Sequence, residues 1–117
     1  MAFKFEGLRV WQMALDLSAE IDELSYSFPK REEYVLFPQI RRAVDSIALN
    51  IAEGSTGQSS TEFKRFLGIS LRSAIEVIGC LHIGKKRKII SDEKFSLFYD
   101  KLTTLIKSIQ ALRNSLK

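Results

Sequence analysis

The sequence predicts an all-α protein, an antiparallel up-and-down four-helix bundle built as a single domain over residues 1–117. Three observations lead there. Apolar residues recur every three or four positions through four long segments, the period of a helix with one buried face. The segments are separated by residues that stop or start helices. No segment shows the sustained alternation and β-branched enrichment of a strand. Connections of about 5 to 10 residues between neighbours make the antiparallel order the simplest packing.

The first helix is expected from about Leu8 to Ser27. Val10, Ala14, Leu17, Ile21, Leu24 and Phe28 follow a spacing of alternating fours and threes, the seam of a helix packing at a shallow angle. Trp11 widens that face, and Phe28-Pro29 closes the segment, because a residue before proline is pushed out of the helical region. Lys30 to Tyr34 can make one extra turn. Pro38 fits the first turn of the second helix, where its missing N–H is no loss. Inside a continuous helix it would cost about 3 kcal/mol, so a break is expected near Val35 to Phe37. The second helix then carries Ile40, Ala43, Val44, Ile47 and Ile51 to about Glu53, with Gly54 as a left-handed terminating residue.

Ser59-Ser60-Thr61-Glu62 reads as a capping box, Ser59 being the N-cap and Glu62 reaching back to its N–H. The third helix follows with Phe63, Phe66, Leu67, Ser70, Ala74, Val77, Ile78 and Leu81 on one side, as far as Gly84. Ser91 caps the fourth, with Asp92 and Glu93 in its first turn, where negative charge suits the helix dipole. Phe95, Phe98, Leu102, Leu105, Ile109, Leu112 and Leu116 carry its apolar line to the C-terminus.

Composition bounds the function. With 45% hydrophobic and 27% charged residues the chain is an ordinary globular one, able to bury roughly two-thirds of its unfolded surface. A net charge of +4 favours an acidic partner, of which nucleic acid is the commonest, without amounting to a basic tail. A single cysteine, Cys80, excludes an internal disulfide and a cysteine-rich zinc site. No signal-peptide core and no run of 18 apolar residues occurs, so no membrane association is expected and the default location is cytoplasmic.

Nothing points to catalysis or a cofactor. Cys80 and His82, two residues apart on a helix, diverge too far to share a metal, and one histidine cannot supply a bundle di-metal site. Two clusters stand out instead. Lys85, Lys86, Arg87 and Lys88 form the densest charge run: either a grip on phosphates or a solvated loop tip. Arg41, Lys64 and Arg65 make a weaker basic candidate around the turn between the second and third helices. On the second helix Arg42, Ser46, Asn50 and Glu53 form a polar line beside the apolar face, with Glu62 and Arg72 nearby in sequence. A functional pocket is one reading of that line; a structural network of ion pairs and hydrogen bonds at a helix or subunit contact is the preferred one. Arg41 and Asp45 are spaced as an i,i+4 pair. Val10 with Trp11, Phe63 with Phe66, and Phe98 with Tyr99 point in diverging directions, more apolar surface than one core hides, which predicts self-association.

Six motifs in order carry a resemblance. They are Leu8-x-Val10-Trp11-Gln12-x-Ala14, Phe28-Pro29, the Glu32 to Leu36 stretch, Gln39 to Ala43, Ser46 to Gly54, and Glu62 to Leu67. Together they resemble the bacterial four-helix-bundle family encoded within intervening sequences of large-subunit ribosomal RNA genes, once labelled a ribosomal protein. The chain departs from the usual pattern at Val35, Pro38, Ala48 and the Lys85 to Lys88 run. The resemblance implies an up-and-down bundle assembling as a ring, typically a homopentamer. It also implies distant kinship with pentameric accessory proteins that bind nucleic acid and a reverse transcriptase, and no established enzymatic activity. The expected function is therefore a non-enzymatic oligomeric scaffold associating with RNA or other nucleic acid through basic surface. The alternative is an adaptor ring that binds an unidentified protein partner without nucleic acid. Replacing all four loop cations is expected to weaken RNA binding and leave stability nearly unchanged. Asn50→Leu or Glu53→Ala is expected to destabilise fold or assembly by a few kcal/mol.

Overall fold

A computed structural model describes residues 2–57 and 59–117. Four helices form: α1 (Arg9–Ser25), α2 (Leu36–Ser55), α3 (Ser60–Lys86) and α4 (Asp92–Ser115). Single 3-10 turns precede α1 at Lys4–Gly7 and α2 at Lys30–Glu32. Consecutive helices pack on one another and α4 returns to α1, closing a bundle 44 × 22 × 21 Å. Hydrogen bonds show the direction of α2 against α3. Ser73 Oγ meets Ser46 Oγ and Ser70 Oγ donates to the Ile47 carbonyl, both at 2.9 Å, so one number falls as the other rises.

The apolar lines expected from periodicity form the core. Ile21, Leu36, Ile40, Ile47, Ile51, Leu67, Leu81, Leu102, Leu105 and Ile109 are fully buried. By length and apolar content alone α3 could span a bilayer. Here its apolar side is sunk between α2 and α4. The α1–α4 contact is the thinnest, leaving an open cleft of about 330 Å³ lined by Met13, Leu17, Glu20, Lys101 and Leu105.

Pro38 lies in the first turn of α2, which begins one residue after Val35, as its chemistry requires. Gly54 behaves differently from expectation. It stays inside α2, buried, with no left-handed backbone, and the helix runs on to Ser55. Its role is packing: a Cβ there would lie 2.5 Å from Phe66 Cβ and 3.0 Å from Phe63 Cδ1. The missing side chain lets α2 and α3 approach as they leave their shared turn. The capping box is half formed. Ser59 Oγ accepts the Glu62 N–H at 3.2 Å, but the Glu62 carboxylate turns to Arg65 at 2.6 Å. At α4 Ser91 Oγ accepts the Lys94 N–H at 3.1 Å, the cap expected there.

The surplus apolar pairs are mostly absorbed. Val10, Phe63 and Phe98 are buried, and Trp11 packs edge-on to Phe5 with centroids 4.9 Å apart. Tyr99 stays partly exposed, and the most exposed aliphatic side chains are Leu49 on α2 (62% exposed) and Ile75 on α3 (61%). Their azimuth on the assembled bundle is set by how α2 and α3 rotate against each other.

Candidate nucleic-acid interface

The basic run sits where α3 gives way to α4. The last helical residue is Lys86 and Arg87 is the C-cap. The Lys88 N–H then bonds to the Lys85 carbonyl at 3.0 Å and the Ile89 N–H to the Gly84 carbonyl at 2.9 Å. This pair of bonds defines a Schellman ending, whose left-handed position normally belongs to glycine. Lys88 occupies it, with φ of 63°, the only non-glycine residue at positive φ among those described. An L-residue there is disfavoured by roughly 1 kcal/mol or more, so this charge sits at a backbone position that glycine would occupy more easily. Gly84, whose carbonyl accepts the Ile89 N–H, also needs to lack a side chain: a Cβ on it would lie 2.3 Å from Ile90 Cδ1, and Ile90 is buried over the helix end.

The four cations of the run do not behave alike. Arg87 folds back on Glu32, its Nη1 donating to Oε1 at 2.9 Å and Oε2 at 3.0 Å. Glu32 is only 4% exposed and its Oε1 also accepts the Leu36 N–H at 3.3 Å. This ion pair ties the 3-10 turn before α2 to the α3–α4 tip. Periodicity could not reveal it, since the partners are 55 residues apart. Lys85, Lys86 and Lys88 are exposed. Lys85 Nζ is 4.0 Å from Asp92 Oδ1, at the limit of ion-pair contact, and rests 4.5 Å over the Phe95 ring. Lys86 and Lys88 make no ion pair among the described residues. The three lysines, with His82, Ile90, Ser91 and Asp92, line an open concavity of about 700 Å³. The expectation that all four cations can be replaced without cost to stability is therefore corrected. Arg87 is structural, and only the lysines are removable without stranding a buried carboxylate.

The second basic candidate is dispersed. Arg41 pairs with Asp22 of α1, donates to Ser25 Oγ at 3.3 Å, and stacks its guanidinium 4.7 Å from Phe37 and 5.2 Å from Tyr26. It fastens α1 to α2. The expected Arg41–Asp45 pair does not form, because Asp45 instead accepts from Ser18. Arg65 lies 4.5 Å over Phe66 and is hydrogen-bonded to Glu62. That bond holds the Glu62 carboxyl below its ordinary value and pushes Arg65 up. Lys64 is half-buried, with no ion pair among the described residues.

The polar line is smaller than expected and differently composed. Asn50 Nδ2 donates to the Ser46 carbonyl at 2.8 Å and to Ser46 Oγ at 2.9 Å. Ser73 of α3, not foreseen, completes the chain by donating to Ser46 Oγ. Arg42, Glu53 and Arg72 are exposed and make no side-chain hydrogen bond or ion pair among the described residues, and Glu62 serves Arg65. Spacing puts Arg42 and Glu53 on the α2 line with Ser46 and Asn50, but only the middle of that line meets α3 and its two ends face solvent. Glu53→Ala should consequently leave folding of the single chain unaffected and report on assembly alone.

Cys80 and His82 diverge, the thiol into the core and the imidazole outward. Burial, and secondarily the Glu76 carboxylate, push the Cys80 thiol up to about 11. The folded chain therefore keeps a proton that the unfolded chain loses above about pH 9. Stability from this group is intact below about pH 9 and declines as pH rises towards 11. Urea midpoints followed over that window should fall more steeply for the parent than for Cys80→Ala.

Taken together, the chain is a four-helix bundle with a concentrated lysine tip, and among the described residues no group of His, Cys, Asp or Glu could hold a metal. Residues 6–111 match the 23S rRNA-intervening sequence protein family, and the chain belongs to that family. A crystal structure from Bacteroides thetaiotaomicron VPI-5482, a protein of unknown function from the S23 ribosomal protein family, is similar throughout. The TM-score is 0.84 at 25% identity, covering 91% of this chain and 99% of that one. No curated protein matches the sequence.

Proposed function

We propose that this protein is a non-enzymatic, oligomeric helical scaffold that associates with RNA or another nucleic acid through the α3–α4 tip. The observation that carries the reading is the state of Lys85, Lys86 and Lys88. They are exposed and converge on one concavity. Lys86 and Lys88 make no ion pair among the described residues, Lys85 reaches Asp92 only at 4.0 Å, and Lys88 occupies a position suited to glycine. A solvated loop needs no such arrangement. Phosphate contacts release counterions and give affinity without sequence choice. A ring, a homopentamer by family resemblance, would multiply one weak tip into useful avidity. Leu49 and Ile75, exposed beside unpaired Arg42, Glu53 and Arg72, supply apolar and charged surface for such assembly.

The test is a fluorescence-anisotropy titration of RNA at two salt concentrations, on the parent and on a Lys85→Gln, Lys86→Gln, Lys88→Gln variant that retains Arg87. The variant should bind at least tenfold more weakly, with a salt slope shallower by about one unit for each phosphate it no longer neutralises. Its melting temperature should stay close to the parent's, because exposed charges contribute little to folding. No binding by the parent at low salt would favour the protein-adaptor reading, for which exposed Leu49 and Ile75 are the specific support. Light scattering that reports a monomer at high concentration would remove the ring.

A further inference from the structure

Beside the lysine concavity lies an aromatic corner that the charge run does not announce. Tyr99, on α4, stacks on buried Phe95 with centroids 5.6 Å apart and planes at 28°, so one of its faces is covered. The residue is still 41% exposed, so the side chain reaches water outside its contact with Phe95. His82, at the end of α3, stands against both rings, 4.8 Å from Phe95 and at 89° to Tyr99. Its exposed imidazole makes a wall beside the Tyr99 face. The same Phe95 ring carries the Lys85 ammonium 4.5 Å from its centroid, and His82 itself lines the concavity with Lys85, Lys86 and Lys88. Cations and exposed aromatic side chains thus share one end of the bundle.

From that juxtaposition we infer that the tip binds unpaired polynucleotide in preference to duplex, a base stacking on Tyr99 against His82 while adjoining phosphates meet Lys85, Lys86 and Lys88. This rests on the nucleic-acid reading above and deepens it. Lysines alone would accept any polyanion, duplex included. A free aromatic face is of use only for bases already out of a stack, and single-strand binders combine these two elements: a basic track and exposed rings. Stacking is sequence-tolerant, because every base has a π-face, so little base preference is expected. Base stacking and phosphate contact do not involve the sugar, so RNA and DNA single strands should bind alike.

The experiment uses the full-length protein, fluorescent oligouridine, the matching oligothymidine, an RNA duplex of equal length, and inorganic polyphosphate as a base-free polyanion. The parent should bind both single strands about five- to tenfold more tightly than the duplex. Tyr99→Leu, which keeps an apolar cover on Phe95, should remove that advantage, whereas Tyr99→Phe should retain it. Duplex and polyphosphate binding and the melting temperature should be the same for all three proteins. Single-strand binding by Tyr99→Leu equal to the parent's, or a parent that prefers duplex, would overturn the stacking inference and leave the lysine site standing. Failure of the parent to bind any of the four probes would remove the nucleic-acid reading and this inference with it.

Discussion

Gly54→Ala will lower the stability of the bundle by about 2–3 kcal/mol, the upper part of the range for overpacked cores. The added methyl would sit 2.5 Å from Phe66 Cβ and 3.0 Å from Phe63 Cδ1. Cβ of Phe66 is fixed to the α3 backbone, so no rotamer change relieves the overlap and the helices must move apart. They are least free to do so here, since α2 and α3 are joined only residues away and held further along by the Ser46–Ser73 and Ile47–Ser70 bonds. Gly79→Ala is the control with the opposite sign. Nothing lies within 4 Å of a Cβ at that mid-helical, exposed position, and alanine should stabilise by about 0.5–1 kcal/mol. Thermal melts of the two variants should shift in opposite directions, the Gly54 variant by roughly 10 °C downward. A Gly54→Ala protein that melts with the parent would show that the α2–α3 approach is slack.

Arg87→Ala will cost more than Glu32→Gln, although both break the same ion pair. Removing the guanidinium leaves a carboxylate that is 4% exposed without its two short charged bonds, and an uncompensated buried charge is expensive. Arg87 itself is 45% exposed along its side chain, so when Glu32 loses its charge the guanidinium turns to water. The glutamine can still accept from the Leu36 N–H. About 2–3 kcal/mol is expected for Arg87→Ala and about 1 kcal/mol for Glu32→Gln, read from urea midpoints. Equal destabilisation by the two would mean that water already reaches the Glu32 carboxylate. The comparison also bears on function, because a four-cation replacement would weaken the fold and the lysine site together. The three-lysine variant separates them.

The helices, their order and the buried lines were all legible in the sequence, since each depends on local chemistry. Apolar spacing selects the inward face of a helix whatever it packs against; Pro38, Ser59 and Ser91 act within a turn or two of themselves. The lysine run was equally plain as a local charge density. Partnerships were not. Arg87 with Glu32, Arg41 with Asp22, Ser73 with Ser46 and Gly54 against Phe66 depend on how far each helix is rotated and slid against its neighbour. A rotation of one residue's worth, about 100°, moves a side chain from contact to solvent. That is why Arg42 and Glu53, at the two ends of the α2 line, face solvent while Ser46 and Asn50 between them are half-buried, and why Gly54, whose chemistry suits a helix stop, is a contact instead. The same geometry decided the tip: chain order puts four cations together, but only the packing of α3 against α4 and the turn before α2 turned one of them into a clasp and set the others beside Tyr99 and His82.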